Sequence, residues 1–102
     1  MVYVVMFHAG DDRGEEVTSR TEEYKAAINA MTEHYPAFTY AFVDASNPSY
    51  ADLVTAVSLN RNELNESPTL MIMHLGNGAW MHGPQAISKL VEFAPVYEKE
   101  MQ

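Results

Sequence analysis

Cysteine is missing from this chain of 102 residues, and that absence removes more chemistry than any other feature of the sequence. Disulfides, thiolate metal sites and thiol–disulfide exchange all need a thiol, so these residues can build none of them. Cations are scarce too. Lys plus Arg number 6 against 14 Asp plus Glu, a formal net charge of −8. Nucleic acid and anionic membrane surfaces demand a basic face, so neither is expected as a partner. The charge is read as serving solubility. No apolar run approaches the ~20 residues of a membrane helix. The run Val2-Tyr3-Val4-Val5-Met6-Phe7 is too short, and lacks the basic flank, to read as a signal peptide. There is no repeat, low-complexity tract or internal linker, so residues 1–102 read as one domain. A domain of this size buries roughly 60–70% of the surface its unfolded chain exposes.

What is present is 47% apolar and patterned. Residues 2–7 are continuously apolar, β-branched and aromatic, the pattern of a strand covered on both faces. Residues 8–14 bracket charge with glycine and read as a loop. A helix is predicted over 15–35, with Glu15 and Glu16 in its first turn and Val17, Tyr24, Ile28, Met31 and Tyr35 on one face. Pro36 stops it. Residues 38–44 have strand propensity, with Phe38, Tyr40 and Phe42 alternating. Ser49 is the expected cap of a short helix over 50–59 that buries Tyr50, Leu53, Val54 and Val57. A polar loop over 60–66 follows.

Pro68 opens the next strand, Thr69-Leu70-Met71-Ile72-Met73, because proline is tolerated at a strand's first residue and not in its middle. Leu75-Gly76-Asn77-Gly78 predicts a hairpin turn, with Gly and Asn supplying positive φ. A three-residue loop would set His74 opposite Trp80 and His82 opposite Ile72; the two histidines are expected on opposite sides of the sheet. Gly83-Pro84-Gln85 opens the last helix, with Ile87, Leu90, Val91 and Ala94 as its apolar stripe, a kink or break at Pro95 and fraying over Glu98 to Gln102. The order is β-α-β-α-β-β-α. The fold class that follows is α/β, a four-stranded mixed sheet with helices on both faces and strands in the spatial order second, first, third, fourth.

Chemistry-bearing residues are sparse. Asp11, Asp12 and Glu15 cluster at a helix start, where carboxylates act first as caps. His8, His34, His74 and His82 share no i, i+4 pair, so no metal site and no cofactor are expected. His8, ending a central strand near the proline, is the histidine expected to line a groove. The seven methionines spread over strands and helices and read as core rather than as an adaptable surface.

Four stretches carry a resemblance. Val5-Met6-Phe7-His8-Ala9, Phe42-Val43-Asp44-Ala45 and Ser67-Pro68-Thr69-Leu70, with Leu64 four residues before the proline, resemble segments of the thioredoxin-like fold. Trp80-Met81-His82-Gly83-Pro84 followed by Leu90-Val91-Glu92-Phe93 resembles the protein disulfide isomerase domains within it. The resemblance implies a cis-proline at Pro68 and an endoplasmic reticulum location, with a cytoplasmic one as the alternative. It places Asp12 and Glu15 where that family carries Cys-x-x-Cys. The implied function is therefore a redox-inactive, non-enzymatic protein- or peptide-binding module, an isomerase-like chaperone domain or a subunit of a larger complex. Its expected peptide-binding residues are His8, Asp12, Glu15, Glu66, Ser67 and Pro68, with no catalytic residue. The alternatives are a thiol–disulfide oxidoreductase, or a thioredoxin-like accessory subunit of an oligosaccharyltransferase, whose active-site cysteines are absent or replaced in this chain. The second strand lies at an edge, so residues 38–43 are the expected contact for a homodimer or larger complex.

Overall fold

A strand is apolar on both sides only when both sides are covered, and Val2–His8 (β1) is such a strand at the centre of the sheet. The computed structural model describes residues 1–9, 15–60 and 62–101. Along β1, Val2, Val4 and Met6 enter one hydrophobic cluster, and Val5 and Phe7 enter another. Alternation along a strand puts these clusters on opposite faces. The first is completed by Tyr24, Ile28 and Met31 of α1 (Glu15–His34) and by Ala86, Leu90 and Ala94 of α3 (Ala86–Glu100). The second is completed by Val54 of α2 (Ala51–Ala56), by Leu64 and by Val43 and Ala45.

The sheet is mixed and four-stranded, in the order β2-β1-β3-β4. β2 (Thr39–Asp44) runs parallel to β1, and β3 (Thr69–His74) runs antiparallel to β1 and to β4 (Asn77–Met81). The predicted element order and strand order both hold. Phe38 lies just before β2 and is buried, stacked on Tyr35 with ring centroids 5.1 Å apart. The Tyr40 hydroxyl donates to the Tyr35 carbonyl at 2.9 Å and lies 3.3 Å from that of Met31, so it adds to the Phe38 and Tyr35 amides that these carbonyls already accept at the end of α1. Burial and then the neighbouring Tyr35 raise the Tyr40 pKa above the ordinary 10.0.

Several local expectations are corrected. Asn47, not Ser49, caps the turn after β2: its side-chain oxygen accepts the Ser49 N–H at 3.0 Å, opening a 3₁₀ turn (Pro48–Tyr50). α2 is only six residues long, so its apolar stripe is narrow; Tyr50 and Leu53 are exposed and Val54 alone is buried on it. The β3–β4 turn is Leu75-Gly76, with φ of 50° and 82°, a two-residue turn of the type that needs positive φ at both places. Asn77 and Gly78 belong to the strand, where Asn77 pairs with His74 and Trp80 with Met71. His82 consequently lies beside Thr69 rather than Ile72. Thr69 and His74 are an odd number of residues apart on β3, so this register leaves His74 and His82 on opposite faces, whereas a partner at Ile72 would have put both on one face. α3 runs through Pro95 without a break and on to Glu100, held by Tyr97 and Met101 against the first cluster. Pro95 and Val91 are both exposed, so the Val91 carbonyl that proline leaves without a helical donor lies at the solvent side of the helix. Val91 thereby leaves the expected apolar stripe. No peptide bond among the described residues is cis, so the Ser67–Pro68 bond is trans, the form an X–Pro bond prefers by about 0.5–1 kcal/mol.

Candidate functional site

The turn before β3 is built around one side chain. Leu64 sits in a 3₁₀ turn (Glu63–Asn65) and is buried in the second cluster, which pins the turn to the sheet. The Glu63 carbonyl then accepts two amides, Glu66 N–H at 3.1 Å and Ser67 N–H at 3.3 Å. Ser67 and Pro68 are themselves buried, so the chain enters β3 already covered. From α1, Arg20 reaches over and donates to the Glu66 carbonyl at 2.6 Å. One helical turn on, Tyr24 donates its hydroxyl to the Gly83 carbonyl at 3.0 Å. Gly83 has φ of 95°, a conformation that suits glycine, and nothing would obstruct a Cβ there, so its role is conformational.

These contacts frame a cleft of about 570 Å³ lined by Arg20, Glu23, Tyr24, Glu66, Ser67, Gly83 and Pro84. Of the residues predicted to bind a peptide, Glu66 and Ser67 line it. Pro68 lies buried behind Ser67. Glu15 is exposed in the first turn of α1, five residues before Arg20, or ~7.5 Å along a helix axis at 1.5 Å per residue, and is not part of the lining. His8 ends β1 half-buried, its carbonyl accepting the Ala45 N–H at 2.8 Å, and is not part of the lining either. Asp12 lies outside the described residues, as do Asp11 and most of the predicted 8–14 loop. Sequence reasoning missed Arg20, Glu23 and Tyr24. Their shared helix face was legible, but which strand-end it would meet depended on where the 63–67 turn sits. Two backbone groups that an added peptide strand would use, Ser67 N–H and the Glu66 carbonyl, are already paired within the chain.

A second cavity, about 310 Å³, lies on the other side of the same turn, lined by Ser58, Leu59, Asn60, Glu63, Thr69, Trp80 and His82. Trp80 is 45% exposed and leans on buried Phe7, ring centroids 5.7 Å apart and planes tilted by 35°. His82 stands between the cavities. Its Nδ1 is 3.2 Å from the Thr69 hydroxyl and 3.9 Å from a Glu63 carboxylate oxygen; its Nε2 is 3.9 Å from a Glu66 carboxylate oxygen. That Nε2 is buried with no hydrogen-bond partner. Among the described residues no three His, Cys, Asp or Glu side chains form a group that could hold a metal ion. No described helix is long and apolar enough to cross a membrane.

No family matches. A scan of this chain against protein-family models finds none, and a search of the curated proteins finds no relative.

Proposed function

We propose that the chain is a thioredoxin-like domain without thiol chemistry that binds an extended segment of another protein. The carrying observation is the 570 Å³ cleft between α1, residues 66–67 and Gly83-Pro84, which borders the segment where the resemblance locates client binding. The strand order and the Pro68-initiated strand support the fold reading. The trans bond at Pro68 and the paired Ser67 and Glu66 backbone groups change the mode of binding: the segment would be held by the cleft walls more than by strand addition. The chain has no cysteine, so binding would end in release and not in exchange.

The test is fluorescence anisotropy of a labelled, carboxymethylated, permanently unfolded polypeptide. Saturable binding is expected. Glu23→Trp, which places bulk at an exposed cleft wall, should weaken it severalfold while leaving the circular dichroism unchanged. No saturation, or affinity indifferent to Glu23→Trp, would reject the reading.

A second reading has its own observation. β2 is an edge strand, and Phe42 on it is 38% exposed while Phe38 and Tyr40 are turned toward α1. Pairing of two copies through β2 would cover Phe42. Light scattering coupled to size exclusion should then show a dimer that Phe42→Lys dissociates.

A further inference from the structure

The second cavity has a chemistry of its own. One wall is an indole, Trp80, backed by Phe7 and left nearly half exposed. Another wall carries the Glu63 carboxylate, whose side chain is 44% exposed. Asn60, Ser58 and Thr69 add hydroxyl and amide groups. Among the described lining residues no Lys or Arg appears. His82 brings no cation to Glu63 unless it is protonated. Outside the cavity the chain is acidic as well, at −8.

An exposed tryptophan face beside a carboxylate, with neutral polar groups around it, matches one kind of side chain. A guanidinium is planar, stacks on aromatic faces, stays charged at all working pH values and pairs with carboxylates through a fork of N–H donors. We propose that this cavity receives an arginine side chain of the bound segment, its guanidinium lying over Trp80 and donating to Glu63. The inference rests on the peptide-binding reading above and names the class of segment it takes: basic, with arginine as the anchor. The two cavities share the 63–67 turn, Glu63 facing one and Glu66 and Ser67 the other. A segment could therefore leave its backbone in the first cleft and its arginine in the second. The protein's overall negative charge would also steer such a segment toward it.

The test uses three peptides, acetyl-Gly-Ser-Arg-Ser-Gly-amide and its analogues with Ala or Glu in place of Arg, titrated into the isotopically labelled chain. The Arg peptide is expected to shift the Trp80 indole N–H and the Leu59 and Thr69 amides, to quench Trp80 fluorescence, and to weaken as salt rises. Glu63→Gln should reduce its affinity by up to about fivefold, as expected for a partly exposed ion pair, with the fold checked by circular dichroism. The Ala peptide should move Ser67 and Gly83 without moving Trp80. If the Ala or Glu peptide shifts Trp80 as the Arg peptide does, or Glu63→Gln leaves Arg-peptide affinity unchanged, the arginine site is wrong. Shifts at Ser67 and Gly83 with all three peptides would then leave the broader reading standing. Silence at both cavities with every peptide would remove both.

Discussion

The two faces of the sheet are covered unequally. One carries α1 and α3, twenty and fifteen residues long; Val2, Val4, Met6, Leu70 and Ile72 beneath them and Leu90 of α3 are wholly buried. The other carries a six-residue α2 and the 3₁₀ turn around Leu64. There Tyr3, in the central strand, is 40% exposed; Thr39 and Gly78 in the same row are exposed as well, and Met73 between Tyr3 and Gly78 is half-buried. The difference separates the larger core from the second cavity. The well-covered face holds that core, and the first cleft lies at its rim beside α1. The thinly covered face leaves Trp80 exposed beside the second cavity.

The largest effect should come from breaking the covered face. Leu90→Ala removes a fully buried side chain from the core-facing side of α3 and should cost about 3 kcal/mol, within the usual 2–5 for such truncations. The matching truncation on the other face, Leu53→Ala at a position 39% exposed, should cost less than about 1 kcal/mol. Urea unfolding of the pair measures the contrast directly. Equal costs would mean that α2 shields the sheet as well as α3 does.

Next in size is the hinge of α1 onto β2. Tyr40→Phe deletes the hydroxyl that serves the Tyr35 and Met31 carbonyls and should cost about 1–2 kcal/mol. It also carries a pH signature. The Tyr40 pKa is raised in the folded chain, so its contribution is complete below the unfolded value near 10.0 and is lost as pH rises through the folded one. Thermal melts above pH 10 should fall more steeply for the wild type than for Tyr40→Phe.

The smallest change should stabilise. Leu75 sits at φ 50° with its side chain 83% exposed, where a non-glycine residue is strained and burial returns nothing. Leu75→Asn converts the turn to Asn-Gly and should gain about 0.5–1 kcal/mol in urea unfolding.

That turn also shows what the sequence could and could not convey. The central place of β1 was legible because Val2, Val4, Val5, Met6 and Phe7 leave no polar face. The strand order followed from it, through the parallel crossover and the hairpin. The hairpin's register was not legible. Leu75-Gly76 and Gly76-Asn77-Gly78 both offer a turn, and local chemistry favours the latter. Burial decides otherwise. The two-residue turn sets Met81 opposite Leu70 and Ala79 opposite Ile72, inside the first cluster. The three-residue turn differs by an odd register and would have sent Met81 to the other face and Trp80 into the core. Glu66 and Ser67 were named through the resemblance at Ser67-Pro68, and both line the first cleft. Arg20, Tyr24 and Gly83 come together only through tertiary hydrogen bonds, which no spacing along the chain encodes.

The most direct measurement is a chemical-shift map of the labelled chain with an unfolded, arginine-containing polypeptide. The account predicts shifts at Arg20, Ser67, Gly83 and the Trp80 indole, with the Ile28 and Leu90 methyl groups silent. Shifts centred on Ile28 and Leu90, or along β2 around Phe42, would contradict it.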